Sequence, residues 1–235
     1  MPNAAVMLCA GRATRMRGAV ADKVLAPLAK QTVLEYSLRA FLQSGVVNYF
    51  VFVVRDAKQQ IAITKVLKKV GIPSIRVVFT PGGAERQDSV FSGLSHVPKD
   101  ADHVFIHDCA RPMITPASLR ALATAVKKDR AAVLAHRVTD TIKQIPPHAR
   151  GPRRLKLRDL QRDTLWAMET PQVFACDLIT LAYAKVRAKK LHVTDDVAAA
   201  VLLGHPVTIV ENSSPNPKLT YPEDFAWVEL LLKKR

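Results

Sequence analysis

Cysteine is scarce in this chain of 235 residues, and the three that occur, Cys9, Cys109 and Cys176, are widely spaced. They form no Cys-x-x-Cys motif, so neither a zinc site nor a dense disulfide framework is expected. Small buried thiols are the simplest interpretation of all three residues.

Long apolar runs are also absent. The longest run near the start, Ala4 to Ala10, is far shorter than the ~20 residues that a membrane-spanning helix needs. Strand-like sequence begins within three residues of Met1, which leaves no room for a signal or transit peptide. We therefore expect a cytoplasmic protein without a membrane span, and its 49% apolar residues are ample for a core. The length fits one α/β domain with an elaboration or two small domains, and we predict a single domain over 1–235.

Acidic residues are few, 20 against 35 lysines and arginines, which leaves a net charge of +15. Such a charge is compatible with binding to nucleic acid, to a membrane surface or to a polyanionic substrate, and equally with a solvated basic surface. The densest basic cluster has no interleaved aromatic residue, which a stacking platform for nucleic acid would require. Its members are Arg150, Arg153, Arg154, Lys156 and Arg158.

Strand-like and helix-like segments alternate along most of the chain. This alternation predicts an α/β fold with a mostly parallel sheet and helices on both of its faces. The predicted strands are 4–8, 49–54, 74–79, 103–107, 131–135 and 207–210. The predicted helices are 33–44, 61–70, 88–94, 116–128, 176–188, 195–203 and 221–234.

The alternation breaks at about 138–165, a polar and basic segment that contains Pro146, Pro147, Gly151 and Pro152. A disordered linker is one interpretation of this composition. The flanks 140–145 and 155–160 are extended in character, however, and we therefore predict a β-hairpin arm that leaves the main sheet.

Ligands of an open parallel sheet bind beyond the carboxyl ends of its strands. After the first strand, the small residues Ala10 and Gly11 let backbone N–H groups approach a phosphate. Arg15 and Lys23 add positive charge to the same loop. The loop matches neither a Walker loop nor a GxGxxG fingerprint, so the pattern alone is weak.

Three other segments add candidate ligands. Gly82 and Gly83 lead into a helix start with Ser89, which suits recognition of a base or a ribose. Asp108 ends a strongly hydrophobic strand, where a carboxylate can bind a metal ion or a ribose. Arg111 beside it can pair with Asp108 or with a substrate phosphate. Lys218 precedes the last helix and could reach back to the phosphate site.

Together these segments resemble the 2-C-methyl-D-erythritol 4-phosphate cytidylyltransferases of the non-mevalonate isoprenoid pathway. The motifs occur in the order and at the spacing of that family over nearly the whole chain. They are Ala10-Gly11 with Arg15-Met16, Lys23, Gly82-Gly83 with Arg86 and Ser89-Val90, His107-Asp108 with Ala110-Arg111-Pro112, Asp140-Thr141-Ile142-Lys143, Arg162 with Leu165-Trp166, Thr170-Pro171-Gln172, Thr194-Asp195-Asp196, and Asn216 with Lys218 and Thr220.

The resemblance implies a Rossmann-like nucleotidyltransferase sheet whose arm, at about 138–165, interlocks two subunits into a homodimer. It implies transfer of CMP from CTP to 2-C-methyl-D-erythritol 4-phosphate, with Mg²⁺ or another divalent cation as cofactor. The products would be 4-diphosphocytidyl-2-C-methyl-D-erythritol and pyrophosphate. Nucleic acid and membrane are not expected as partners.

The resemblance also assigns roles. Arg15, Lys23 and Lys218 would be catalytic, acting on the α-phosphate and the leaving pyrophosphate. Mg²⁺ would be held mainly by the CTP phosphates, with Asp108 near it. The nucleotide would be bound by Ala10, Gly11, Gly82, Gly83, Ser89 and Asp108. The acceptor would be bound by Arg111, Thr141, Arg162 and Thr194, with Thr141 and Arg162 acting across the dimer interface.

The sequence departs from the family pattern at three places in the first loop. Ala13 stands where a glycine is usual, Leu8-Cys9 replaces a Pro-Ala or similar pair, and the loop before Lys23 is one residue longer. A Cβ at position 13 disfavours a positive φ.

Two alternatives stay open. The acceptor could be ribitol 5-phosphate or another polyol phosphate, although Arg162 with Leu165-Trp166 favours methylerythritol phosphate. The chain could also be a basic nucleic-acid-binding protein on the same fold, which the intact Arg15, Lys23, Asp108 and Lys218 disfavour.

Overall fold

The computed structural model describes residues 2–146 and 154–234. Its strands are β1 (Asn3–Leu8), β2 (Pro27–Leu28), β3 (Gln31–Thr32), β4 (Tyr49–Val54), β5 (Val77–Pro81), β6 (His103–Asp108), β7 (Ala131–Arg137), β8 (Lys143–Gln144), β9 (Arg158–Asp159), β10 (Trp166–Ala175) and β11 (Thr208–Glu211). Its helices are α1 (Val33–Ser44), α2 (Ala57–Val70), α3 (Arg86–Leu94), α4 (Pro116–Asp129), α5 (Cys176–Ala188), α6 (Asp196–Val201) and α7 (Glu223–Lys233). Short 3₁₀ turns occur at Thr14–Met16, Ser74–Arg76 and Arg162–Thr164.

Seven strands form one sheet in the order β11-β7-β10-β6-β1-β4-β5. All neighbouring pairs are parallel except those of β10, which runs antiparallel to both β6 and β7. The predicted mostly parallel α/β fold is therefore confirmed. Leu8, the last residue of β1, is in register with Asp108 of β6 and Val53 of β4. The residues that follow these strands thus emerge side by side at one edge.

The sheet separates two layers of helices. On one face, α1, α2 and α4 pack Leu38, Ile63 and Leu119 into a cluster with the strands. On the other face, α3, α5 and α6 contribute Val90, Ile179 and Ala199 to a second cluster. Burial on both faces explains why the central strands are continuous apolar runs.

Strand β10 lies in the interior of the sheet, yet the sequence did not predict it. Pro171 cannot donate a ladder hydrogen bond, and polar residues surround it, so the segment lacks a strand pattern. The pairing with β7 shifts register between Met168 and Gln172, and this irregularity accommodates the proline. The prediction of a strand over 74–79 was also displaced, because Ser74–Arg76 forms a 3₁₀ turn before β5.

The predicted arm begins and ends as an antiparallel pair. Lys143 in β8 pairs with Asp159 in β9, both in the ladder and through an ion pair. At its base, the guanidinium of Arg137 lies 4.6 Å from the ring centroid of Trp166. This pairing agrees with a hairpin. The tip of the predicted arm, residues 147–153, lies outside the described residues and includes Pro147, Pro152, Arg150 and Arg153. The single domain over 1–235 and the use of the arm in dimerisation remain predictions.

No helix within 2–146 or 154–234 is long and apolar enough to cross a membrane. The cytoplasmic location expected from the sequence stays a prediction.

Candidate active site

A cleft with a cavity of about 370 Å³ opens at the carboxyl ends of β1 and β6. The loops after β1, before α3 and before α7 meet there, because the strands that precede them are parallel and end at the same edge of the sheet. Eight residues predicted as catalytic or nucleotide-binding line this cleft: Ala10, Gly11, Arg15, Lys23, Gly83, Ser89, Asp108 and Lys218. The structure thus brings together groups separated by up to two hundred residues of sequence.

The loop after β1 keeps a left-handed turn despite the alanine. Ala13 has φ 51° and ψ 30°, and its carbonyl oxygen accepts a hydrogen bond from Met16 N at 2.8 Å. Met16 is fully buried in a small cluster with Leu28 and Leu219. That anchor fixes the loop beside Arg15, which lines the cleft.

Gly82 lies behind the cleft, where two loops approach each other closely. A Cβ at this position would lie 2.5 Å from Ala10 Cβ and 3.2 Å from Ser89 Oγ. Ser89 Oγ accepts a hydrogen bond from Gly83 N at 3.1 Å and donates to Glu85 O at 3.2 Å. The hydroxyl therefore shapes the glycine loop in addition to facing the cleft.

Asp108 is a buried carboxylate between two cations. Its Oδ1 accepts from Arg86 Nε at 3.1 Å, and its Oδ2 accepts from Lys218 Nζ. Burial alone would raise the pKa of Asp108, but Arg86, Lys218 and Arg111 hold it far below its usual value. The carboxylate is thus ionised throughout the physiological range.

A second buried carboxylate, which sequence reasoning did not assign, holds Arg86 in place. Asp196 Oδ1 and Oδ2 accept from Arg86 Nη1 and Nη2 at 3.1 and 2.8 Å, and Tyr183 Oη donates to Oδ1 at 2.6 Å. Burial would lower the pKa of Arg86, yet Asp196 and Asp108 raise it above its ordinary value. Arg86 was recognisable only through its motif, and its partner lies 110 residues away.

The three residues predicted as catalytic are close enough to repel one another. Burial, followed by the charges of Lys218 and Arg15, lowers the pKa of Lys23 below its ordinary value of 10.5. The lining carries more positive than negative side chains, and a cleft with such an excess of positive charge attracts polyanions. Arg12, Thr14 and Glu85 also line it, although no pattern in the sequence singled them out, and so does Thr220, which belongs to the motif with Asn216 and Lys218.

His107, by contrast, faces the core. It is fully buried, and its ring nitrogens lie 3.3 Å from Ser37 Oγ and from Thr170 Oγ1. Burial lowers its pKa to about 3, so the imidazole is neutral and holds α1 and β10 against β6.

The four predicted acceptor-binding residues do not line the cleft of their own chain. Arg111 lies beside it and donates from Nη1 to Asn216 O at 2.7 Å. Arg162 donates to Thr139 O at 3.2 Å at the base of the arm, and Thr141 and Thr194 are exposed. A single chain therefore brings together the predicted nucleotide site but not the arm residues predicted to bind the acceptor.

Within the part of the chain that the structure describes, no cluster of three or more His, Cys, Asp or Glu side chains could hold a metal ion. The cleft offers two carboxylates, Asp108 and Glu85. Mg²⁺ is commonly held by one or two carboxylates together with substrate phosphates. The donor set therefore fits a metal ion that arrives with a polyphosphate, and it does not fit a metal cage built by the protein.

Comparison with known proteins gives a consistent result. The family model described as 2-C-methyl-D-erythritol 4-phosphate cytidylyltransferase matches residues 3–234. Relatives of that name from Pelotomaculum thermopropionicum and Dehalococcoides mccartyi are 39% and 38% identical over 232 and 230 residues. These alignments cover 99% and 98% of this chain, and 94% and 96% of the relatives.

Solved structures agree. The 2-C-methyl-D-erythritol 4-phosphate cytidylyltransferase from Thermus thermophilus has a TM-score of 0.76 at 26% identity, covering 99% of this chain and 100% of that chain. The 4-diphosphocytidyl-2C-methyl-D-erythritol synthase from Anaerococcus prevotii has a TM-score of 0.83 at 24% identity, covering 99% and 98%. The second likeness supports the fold alone.

Proposed function

This chain belongs to the 2-C-methyl-D-erythritol 4-phosphate cytidylyltransferase family, and we propose that it transfers CMP from CTP to 2-C-methyl-D-erythritol 4-phosphate. The products are 4-diphosphocytidyl-2-C-methyl-D-erythritol and pyrophosphate. One observation carries the proposal: Arg15, Lys23 and Lys218 converge on a single cleft at the carboxyl ends of β1 and β6. The relatives favour neither the ribitol phosphate nor the nucleic-acid alternative.

The chemistry explains why the cleft is cationic. A phosphate oxygen of the acceptor attacks the α-phosphorus of CTP in line, and the bond to the bridging oxygen of pyrophosphate breaks. Two polyanions must meet, so the site has to position them and neutralise their charge. No general base is required, because the attacking phosphate is already ionised at neutral pH.

We assign separate roles to two groups of residues that line the cleft. Backbone at Ala10 and Gly11, facing Gly83 and Ser89, is placed to hold the nucleotide. Arg15, Lys23 and Lys218 are assigned to its phosphates. Burial, and after it repulsion by Lys218 and Arg15, lowers the pKa of Lys23, and a bound triphosphate would offset that repulsion.

A divalent cation, expected to be Mg²⁺, would supply further charge neutralisation to the triphosphate when bound. Asp108 is the residue best placed to hold it, because its ionised carboxylate lies in the cleft. Lys218, whose carboxylate partner is Asp108, would bind a phosphate oxygen of the substrate.

We extend the proposal to a homodimer joined by the arm. Ile142, Ile145 and Leu157 of the arm are 40%, 48% and 57% exposed, so the arm presents three aliphatic side chains that a partner could bury. A second arm would cover them. In such a dimer Thr141 and Arg162 would serve the cleft of the partner, which accounts for their distance from their own.

The test is pyrophosphate release with CTP, Mg²⁺ and methylerythritol phosphate. Lys218→Ala should lower kcat by at least about 100-fold, as for loss of a transition-state donor. The folding of this variant should be little changed, because Asp108 still forms its ion pair with Arg86. Lys128→Ala, on the exposed side of α4, is the matched control and should retain full activity. A fully active Lys218→Ala variant contradicts the assignment.

A further inference from the structure

Glu169 in β10 is a buried carboxylate that none of the roles above uses. It is 3% exposed. Its Oε1 accepts from His136 Nδ1 at 2.6 Å, and its Oε2 accepts from Nδ2 of Asn212 at 2.9 Å and of Asn216 at 2.8 Å. Burying a carboxylate is expensive unless such donors surround it, so this arrangement is a built cluster.

The cluster depends on the irregularity of β10. The register against β7 shifts between Met168 and Gln172, and Glu169 lies within that interval. Such irregularities re-aim side chains next to functional sites. Here the result is that Glu169 reaches out of the ladder to the loop between β11 and α7.

We call residues 212–219 the lysine loop. Glu169 binds it at two points, Asn212 and Asn216. Asn216 Nδ2 also donates to Thr170 O at 3.1 Å, and Leu219 N donates to Ala110 O at 2.9 Å. The loop is therefore fixed to β10 on one side and to the segment after β6 on the other.

Two residues with proposed roles depend on this loop. Lys218 follows Asn216 by two positions and reaches Asp108. Arg111 donates from Nη1 to the carbonyl oxygen of Asn216 at 2.7 Å. One asparagine, held by Glu169, thus connects a proposed catalytic lysine with a proposed acceptor-binding arginine.

We propose that Glu169 is a positioning residue that holds the lysine loop so that Lys218 and Arg111 keep fixed places beside the cleft. The inference rests on the proposed function. Glu169 bonds to His136 and the lysine loop, away from the loops that carry Gly11 and Gly83. Its loss should therefore affect turnover more than binding of CTP.

The chemistry of the cluster predicts which substitution is tolerated. In Glu169→Gln, the amide oxygen can accept from the asparagines, and the amide nitrogen can donate to His136 Nδ1 once the imidazole carries its proton on Nε2. Glu169→Ala removes both acceptor oxygens, so half-buried Asn212 loses its bond to Glu169 and buried Asn216 keeps only its bond to Thr170 O. Geometry is preserved in the first variant and lost in the second.

The experiment compares wild type with Glu169→Ala, Glu169→Gln and Glu35→Ala. Glu35 is the matched control: it is 1% exposed, accepts from Thr32 N at 2.9 Å, pairs with Lys69, and lies in α1 away from the lysine loop. Three quantities are measured for each protein: kcat and KM for pyrophosphate release, Kd for CTP by calorimetry, and amide hydrogen exchange in residues 212–219.

For Glu169→Ala, kcat should fall roughly 10–100-fold, the effect of losing hydrogen bonds to a charged group. Its Kd for CTP should change less than about threefold, and exchange in the lysine loop should speed up at least about tenfold. Glu169→Gln should stay within about threefold of wild type in all three. Glu35→Ala should unfold more easily and keep wild-type kcat and loop exchange.

Several results would overturn the inference. The first is a wild-type kcat in Glu169→Ala. The second is an equal fall of kcat in Glu169→Ala and Glu35→Ala. The third is a kcat of Glu169→Gln as low as that of Glu169→Ala. If the wild type shows no turnover, the proposed function fails instead, and the exchange measurement still decides whether Glu169 fixes the loop.

Discussion

Lys218 donates a hydrogen bond to Asp108 Oδ2, so the loop before α7 is held against the end of β6. Arg86 occupies the other oxygen of Asp108 and is itself clamped by Asp196 at two atoms. The two cations therefore differ: Arg86 has two carboxylate partners, whereas Lys218 has one. In the proposed reaction Lys218 is therefore the cation that can leave Asp108 and bind a phosphate oxygen of the substrate.

The clamp between Arg86 and Asp196 should contribute strongly to stability. Asp196 is fully buried, and its removal would leave Arg86 with less compensation in a mostly buried place. Asp196→Ala should lower the free energy of unfolding by about 3–5 kcal/mol, as expected for a broken buried ion pair. Urea denaturation measures this change.

Glu211→Ala provides the comparison, because Glu211 pairs with Arg137 while both side chains are more than half exposed. That loss should stay below about 1 kcal/mol. Equal losses in the two variants would show that the buried clamp has no special weight.

Ala13 supplies a stabilising substitution. Its φ of 51° is left-handed, which costs an L-residue about 1–2 kcal/mol, while glycine adds unfolded-state entropy worth about 0.5–1 kcal/mol. Ala13→Gly should therefore raise the free energy of unfolding by about 0.5–1 kcal/mol. Ala121→Gly, at an exposed position of α4, should lower the free energy of unfolding by about 1 kcal/mol. Destabilisation by Ala13→Gly would mean that the left-handed turn is not strained.

We expect the deprotonation of Lys23 to set the alkaline limb of the pH profile of kcat/KM. Its pKa is lowered from 10.5, and its proposed role needs the protonated form, so kcat/KM should fall with a midpoint below 10.5. Lys23→Arg keeps its charge to higher pH and should lose that limb. An unchanged limb in Lys23→Arg would assign the titration to another group.

The same shift has the opposite sign in stability. The pKa of Lys23 is lower in the folded state, so at pH values between the folded and the unfolded pKa the unfolded chain binds more protons than the folded chain does. The contribution of Lys23 to stability therefore rises over the window in which activity falls. Denaturation of wild type and Lys23→Arg across this window should show a smaller rise in the variant.

Mixing inactive variants tests the dimer and the shared site together. Arg162→Ala and Lys218→Ala disable different residues, and in an arm-exchanged dimer a mixed pair retains one intact site. Random reassociation of equal amounts should restore about a quarter of wild-type activity, since half the dimers are mixed and each has one of two sites.

Absence of any recovery, with mixed dimers demonstrated by mass spectrometry, would place Arg162 at its own cleft. A monomeric protein at micromolar concentration would contradict the proposed assembly itself. The control is a mixture of Lys218→Ala with Lys23→Ala, two residues of one cleft, which should stay inactive in the same assay.

Much of the fold could be predicted, and the reasons are local. Strands β1, β4 and β6 are buried on both faces and therefore read as apolar runs. Helix α2 begins at Ala57 and not at 61, because Asp56 caps it by accepting from Gln59 N at 2.8 Å. The apolar periodicity starts one turn after the cap, so the pattern placed the helix start too late.

Strand β10 could not be predicted in the same way. Its interior holds Glu169, Thr170 and Gln172, which look exposed in sequence and are buried in the structure. Each is satisfied by a distant partner; Gln172 Oε1, for example, accepts from the backbone of Asp196 and Val197 at the start of α6. Such compensation is tertiary, and no local periodicity reports it.

The residues of the candidate site likewise fall into those that local sequence predicts and those that depend on distant partners. Charged residues that follow parallel strands were predictable, because those strand ends meet at one edge. The pairs Arg86–Asp196 and Glu169–Asn216 join residues 110 and 47 positions apart, and no spacing rule connects them.

The most direct measurement offers CTP and Mg²⁺ with methylerythritol 4-phosphate and with ribitol 5-phosphate in separate reactions, following pyrophosphate release and identifying the product by ³¹P NMR. With methylerythritol phosphate we expect 4-diphosphocytidyl-2-C-methyl-D-erythritol as the product, and with ribitol phosphate no comparable turnover. Turnover with ribitol phosphate alone, or with neither acceptor in a folded protein that binds CTP, would contradict the proposed function.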